Sequence, residues 1–222
     1  GDASERVATE IGGIGLRLDV SDEEAVTTTI ESIESDRGPI GLLVNNAGIA
    51  TGGSVDVPTA LWQKTWDVNV MAHVYAIRAA LPGMLANGAG YILSTVSAAG
   101  LLTNIGAAPY AVTKHAALAL AEWVSMTYGK QGIGVSALCP QFVETPMLDL
   151  FGDVASQEWV RSVAITTDDV ADAVIEGLAE ERFLILPHPE VETFFQNKAN
   201  DYDRWLGGMR KLNEQLNNPQ FD

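Results

Sequence analysis

Cysteine is nearly absent. Cys139 is the single thiol in 222 residues, so no disulfide can form within the chain. That excludes a disulfide-stapled scaffold and fits a reducing compartment, with a cytoplasmic location as the expectation. Basic residues are also scarce, 13 Lys and Arg against 29 Asp and Glu, for a net charge of -16. A surface of that sign repels nucleic acid and anionic lipid, so neither nucleic acid nor membrane is expected as a partner. No apolar run reaches the length of a membrane span. Histidine is rare too. His73, His115 and His188 show no metal-ligand spacing with cysteine or carboxylate, so they read as surface or packing residues and no metal site is expected. Repeats and low-complexity tracts are missing.

What the chain does have is apolar content, 47% of its residues, enough for one domain with a sizeable core and too much for disorder. Short runs rich in Val, Ile and Leu read as buried strands: 14–20, 41–48, 90–96, 134–140 and 182–187. Amphipathic stretches of helical length lie between them. One opens at Ser21 with an acidic first turn. A second runs from Pro58 to about Leu85, and a third, rich in alanine, from Tyr110 to about Lys130. A fourth opens with a Thr166/Asp169 capping pattern. Regular alternation of strand and helix predicts an α/β fold, a doubly wound parallel sheet covered on both faces. Gly12 and Gly13 read as a helix stop and turn.

From Val191 the bulky positions Val191, Phe195, Lys198, Tyr202, Trp205, Met209, Leu212 and Leu216 follow steps of four and three, giving one helical stripe. It suits a helix packed on its own domain, a subunit contact or a flap over an active site. The expected division is therefore a domain over 1–187 and a helical extension over 188–222.

Ligand chemistry in open parallel sheets gathers at the carboxyl ends of strands. There the chain places "LDV" at 18–20, "NNAG" at 45–48, Ser97, and "PQFVETPM" at 140–147, with "VN" ending at Asn69 and "YAVTK" at 110–114 on helices. This ordered set resembles the short-chain dehydrogenase/reductase family, and the resemblance runs to about Pro187. It implies a Rossmann-like sheet and an NAD(P)-dependent oxidoreductase interconverting a secondary alcohol and a ketone. A ketone accepting a hydride needs a proton and hydrogen-bond donors at its oxygen. Lys114 shares a helix face with Tyr110, and an ammonium beside a phenol is expected to lower the phenol pKa and make it a proton shuttle. Ser97 would donate to the substrate oxygen. The resemblance adds Lys114 contacts with the nicotinamide ribose and a role for Asn69 in a water-linked proton relay. It places Asp19 and Val20 at the adenine, and Asn46, Ala47 and Gly48 near the adenosine ribose. Tyr110, Lys114, Pro140, Val143 and Thr145 would flank the nicotinamide, Val143 and Thr145 holding its amide. Gln141 stands where the motif usually has glycine.

The family's glycine-rich phosphate loop is missing. "IGGIG" at 11–15 cannot replace it, because a phosphate loop must open a helix. In the doubly wound order, the expected strand ending at Asp19 and the "NNAG" strand would be separated by two absent strands, a gap of roughly 14 Å. The natural chain is therefore expected to start upstream by roughly 30 residues or more, with a strand-helix-strand segment missing here. The residue that separates NAD from NADP lies in that segment; the cofactor is NAD or NADP, with NAD the expectation although no residue in this chain supports it.

Apolar Leu101, Leu102, Ile105, Phe142, Met147 and Phe151 near the expected pocket point to a lipid-like, steroid-like or aromatic small-molecule substrate. The long helices after Gly53 and from Tyr110 resemble the family's dimer helices, so a homodimer or homotetramer is expected. A non-catalytic binding or scaffold protein is the alternative. An epimerase or dehydratase of the extended branch is a third reading, against which stands the short chain after Pro140.

Overall fold

The computed structural model describes residues 2–148 and 158–216. Its centre is a sheet of four parallel strands in the order β1 (Leu42–Asn45), β2 (Gly90–Thr95), β3 (Ile133–Leu138) and β4 (Leu184–Ile185). Strands β2 and β3 alternate their side chains between two apolar layers, while on β1 Leu42 and Val44 are exposed. On β2, Ile92 joins Ile77, Met84, Ala117 and Ala121 on one face. Its neighbour Leu93 joins Leu138 and Ile185 on the other, beneath Val170 and Val174.

The first layer is built by α2 (Glu23–Arg37), α4 (Ala72–Asn87) and α6 (Ala108–Tyr128). Alanines Ala117 and Ala121 are fully buried on α6, which lets that helix lie close to the strands. The second face is covered by α8 (Thr167–Ala179), which Thr166 and Asp169 start with a reciprocal capping box, as the sequence predicts. Three shorter helices complete the path through the domain: α3 (Thr59–Trp66), α5 (Ala99–Leu102) and α7 (Glu158–Val163). The predicted Rossmann-like fold of a single α/β domain is what the structure contains.

Three details differ from expectation. The stretch 14–20 carries no strand. A strand exists only through its neighbour's hydrogen bonds, and none lies beside this stretch among the described residues. It runs instead against α1 (Asp2–Ile11): a Cβ on Gly15 would sit 2.7 Å from the Ser4 carbonyl oxygen, and Ser4 Oγ donates to the Leu16 carbonyl. Ile14 and Leu16 stay exposed while Leu18 packs on the core. The second difference is the cap of α2. It is Asp22, whose carboxylate accepts from Ala25 N (3.1 Å); Ser21 instead donates its hydroxyl and its amide to Asp19. The glycine stop is as predicted, with Gly12 at φ +70° directly after α1.

The third difference is in the C-terminal stripe. It is two helices, α9 (Glu190–Asn200) and α10 (Tyr202–Leu216), broken at Asp201, whose backbone turns to φ -151° and ψ 88°. Val191 is fully buried in the main core and Phe195 packs against it, so α9 belongs to the domain. No side chain of α10 is buried.

Candidate active site

The carboxyl ends of β1, β2 and β3 open into one cavity of about 640 Å³. Asn46, Ala47 and Gly48 follow β1, Ser97 follows β2, and Pro140, Val143 and Thr145 follow β3; all line it, as do Tyr110 and Lys114 from the first turns of α6. Asp19 and Val20 do not line it. Asp19 is exposed, and the two hydrogen bonds from Ser21 hold its carboxyl below the usual range.

Ser97 sits close enough to the Tyr110 hydroxyl to favour its ionised form. Ser97 Oγ accepts from Ala99 N (3.1 Å) and donates to the Pro140 carbonyl (3.4 Å), which fixes its direction. Lys114 is buried. Its Nζ donates to the Thr95 carbonyl (2.9 Å) and lies 5.7 Å from the centre of the Tyr110 ring. Three side chains that the sequence separates therefore converge on one cleft.

Their ionisation runs against the expected lowering of the phenol. Burial pushes the Tyr110 pKa up, partly offset by the neighbouring Ser97. Burial also pulls Lys114 down, to about 8. A water-poor cleft penalises phenolate and ammonium alike, and the lysine points at the ring and at a backbone carbonyl. The phenol of this structure is a protonated donor at neutral pH.

Asn69 owes its place to a feature no periodicity rule shows. Residues Asp67–Met71 form a π-helical turn between α3 and α4. Such a turn carries one extra residue and rotates the side chains that follow. Asn69 is fully buried there. Its Oδ1 accepts from Ile49 N (2.8 Å), and its Nδ2 donates to the Ile49 carbonyl (2.9 Å) and to Thr113 Oγ1 (3.0 Å). It stands behind Gly48: a Cβ on Gly48 would sit 3.4 Å from both Asn69 Oδ1 and Lys114 Nζ.

Sequence reading missed Thr113 and Thr95. Thr113 is buried one residue before Lys114 and joins Asn69 to the Tyr110 carbonyl (2.9 Å). Thr95 supplies the carbonyl for Lys114 and donates its hydroxyl to Asn46 Oδ1 (2.9 Å). Threonine at a strand end or on a helix carries no distinguishing signal. Of the expected apolar wall, Leu102, Phe142 and Met147 line the cavity; Leu101 faces the core, Ile105 is not in the lining, and Phe151 lies outside the described residues. Cys139 is fully buried, and burial pushes its thiol up to about 12, an inert packing group.

Gly100, on α5, sits where a Cβ would lie 2.7 Å from the Lys114 carbonyl oxygen and 2.6 Å from Val96 Cγ1. Gly100→Ala is expected to push α5 from α6, lowering stability by about 1–3 kcal/mol. Turnover should fall at temperatures where the variant is still folded, because the strain falls on Lys114 itself. Urea unfolding and activity at matched folded fraction check it.

His73 is the most isolated polar group near the site. It is buried, and neither ring nitrogen has a partner among the described residues. Burial, helped by the Lys114 charge, lowers its pKa to about 3. Below the ordinary value of 6.5, the unfolded chain takes up a proton that the folded chain refuses until about pH 3. Stability is therefore lost as pH falls through that window. His73→Leu should gain about 2–3 kcal/mol relative to the parent on moving from pH 7.5 to pH 4.5. Equal urea midpoint shifts at both pH values would contradict this.

Parallel strands, a cleft at their carboxyl ends and a tyrosine, lysine and serine facing one another there define a nicotinamide-dinucleotide oxidoreductase. The profile described as short chain dehydrogenase matches residues 2–154. The chain belongs to the short-chain dehydrogenase family. A 1-deoxy-11-beta-hydroxypentalenate dehydrogenase of Streptomyces avermitilis is 33% identical over 196 residues, spanning 85% of this chain and 70% of that protein. A short-chain dehydrogenase/reductase from Burkholderia phymatum, solved in complex with NAD, has a TM-score of 0.82 at 31% identity over 91% of this chain and 82% of its own. A gluconate 5-dehydrogenase from Burkholderia cenocepacia, solved with NADP and tartrate, has a TM-score of 0.75 at 25% identity over 86% and 80%.

The residues present fit the nicotinamide end of such a cofactor. Gly48 puts bare backbone beside Lys114 Nζ in the cavity lining, to which Val143 and Thr145 also belong. Among the described residues no helix of this chain carries the family's glycine-rich start. No group of histidine, cysteine or carboxylate residues among them could hold a metal ion, and no helix is long and apolar enough to cross a membrane.

Proposed function

We propose that the chain interconverts a secondary alcohol and its ketone, with Tyr110 moving the proton. The bound nicotinamide dinucleotide supplies or takes up the hydride. The observation that carries the reading is the convergence of Ser97, Tyr110 and Lys114 on one cavity. Ser97 orients the substrate oxygen beside the phenol. Tyr110, kept protonated by burial, delivers its proton to that oxygen as hydride arrives at carbon, and takes it back in the reverse direction. Lys114 holds the nicotinamide ribose. Asn69 maintains the Ile49 and Thr113 framework behind Lys114 and serves a water-linked path that returns the proton. Asn46, Ala47 and Gly48 border the adenosine side, and Pro140, Val143 and Thr145 hold the nicotinamide amide. Asp19 and Val20 reach the adenine from beyond the cavity.

Leu102, Phe142, Met147 and Leu148 make one wall apolar, which favours a substrate with a hydrocarbon body. NAD is favoured over NADP because a net charge of -16 opposes one more phosphate, while similar structures hold either nucleotide. Val112, Trp123 and Met126 are exposed on α6, and Trp66 on α3, apolar surface suited to a homodimer or homotetramer. The protein works in the cytoplasm on this reading. On this reading the catalytic domain runs through α9, whose Val191 lies in the main core, and α10 (Tyr202–Leu216) is the helical extension.

Fluorescence titration with NADH and NADPH, then a screen of secondary alcohols and ketones, tests the reading. Binding of one nicotinamide and turnover of apolar substrates are expected. Binding of neither would favour a scaffold, and turnover of small charged substrates alone would overturn the apolar assignment. Sedimentation at micromolar concentration should show no monomer.

A further inference from the structure

Two walls of the cavity are held from outside it by one helix, α9. The first wall is the turn after β3. There His188, buried in the connection between β4 and α9, accepts the Gln141 amide on Nδ1 (3.2 Å). That acceptor role fixes the proton on Nε2, which donates to the Phe142 carbonyl (3.1 Å). The His188 carbonyl in turn accepts from Val191 N (3.1 Å), in the first turn of α9. The second wall is the turn after α5. There Lys198, buried in the last turn of α9, donates from Nζ to the Leu101 carbonyl (2.6 Å) and lies 5.4 Å from the centre of the Tyr202 ring. Leu101 belongs to the last turn of α5, where carbonyls lack helical partners and a cation is favourable. The next residues, Leu102, Thr103 and Asn104, line the cavity, and Thr103 is held at φ +73°, a conformation few side chains adopt. Between the two anchors Val191 is fully buried in the main core.

We propose that α9 is a brace that sets the spacing of the cleft. His188 positions the nicotinamide-side turn at Gln141–Phe142, and Lys198 positions the substrate-side turn at Leu102–Asn104. Both are positioning residues, since neither lines the cavity. The brace deepens the oxidoreductase reading and rests on it for its kinetic consequences. Its geometry has a sequence reason. Gln141 replaces a glycine of the family pattern, and hydrogen bonds on its own amide and on the Phe142 carbonyl fix the backbone from which its side chain lines the cavity. A buried ammonium on an apolar stripe, at the step where a hydrophobe is expected, is explained by the carbonyl it meets.

The test compares four full-length variants: His188→Leu, His188→Gln, Lys198→Met and Lys198→Arg. The glutamine and arginine versions keep a donor, and the glutamine an acceptor, so each should partly rescue its apolar counterpart. Amide hydrogen exchange of the protein without added nucleotide is the first readout. His188→Leu should speed exchange at the Gln141 amide, and Lys198→Met at the Leu102 and Thr103 amides that close α5, each leaving the other turn unchanged. The second readout splits the kinetics. His188→Leu should weaken NADH binding about tenfold with substrate KM little changed, and Lys198→Met should raise substrate KM about tenfold with NADH binding kept. Uniformly faster exchange, or equal effects of both changes on both parameters, would reduce α9 to ordinary packing and overturn the brace. If the parent protein binds no nicotinamide and turns over no alcohol, the oxidoreductase reading fails, while the exchange pattern still decides whether the two turns are separately held.

Discussion

Tyr110→Phe is expected to lower kcat by about 10²- to 10⁴-fold while leaving NADH affinity within about twofold of the parent, the range general acid–base catalysis supplies. The substitution keeps the ring, which packs with Ala99 and Ala107, and removes only the oxygen. Two consequences follow from the structure. The loss should appear in both kcat and kcat/KM, because the proton is needed in the transition state and hardly at all in binding. Thermal stability should change little, because the neighbouring Ser97 keeps its bonds to Ala99 N and the Pro140 carbonyl. Single-turnover kinetics with the preferred nicotinamide measure the first, and thermal unfolding the second. Activity above a tenth of the parent's would show that another group moves the proton.

Lys114→Met should weaken nicotinamide binding and reduce kcat/KM by about 10²-fold if, as proposed, Lys114 holds the ribose by a charge-assisted hydrogen bond and places a positive field beside the phenol. Its effect on stability is distinctive. The buried ammonium titrates at about 8 when folded, against 10.5 in its ordinary state. Between those values the unfolded chain holds a proton the folded chain releases, so folding is favoured as pH rises from 8 to 10.5 and the gain is complete only above it. The parent should therefore gain about 3 kcal/mol from this group across that interval, and the methionine variant should gain none of it. The bond to Thr95 is lost at every pH, so the slope of stability with pH, not its absolute value, isolates the charge. Parallel pH profiles for the two proteins would place Lys114 in contact with water.

Much of this site is legible in the sequence. Strand ends were found because continuous apolar runs stop where polar or small residues begin, as at Asn46 and Ser97. The four-residue spacing of Tyr110 and Lys114 placed both on one face of α6, where both line the cavity. Asn69 could be suspected but not placed, since the π-helical turn that points it at Ile49 and Thr113 leaves the local residue pattern unchanged. The stretch 14–20 was misjudged for a related reason. Its composition suits a strand, but strands are made by neighbours, and none is present among the described residues. The cap of α2 moved by one residue because Ser21 found a better acceptor in Asp19.

Residue order alone settled the parallel architecture, the sequence of its elements and the cleft in which the chemistry gathers, because burial pattern, helix capping and turn chemistry are properties of neighbouring residues. Packing between distant segments decided the rest. It raised the phenol that a nearby ammonium was expected to make acidic, emptied the surroundings of His73, and tied His188 to Gln141 and Lys198 to Leu101. Desolvation and hydrogen-bond partnership depend on which remote groups exclude water from a site, and that arrangement exists only once the helices have closed on the sheet.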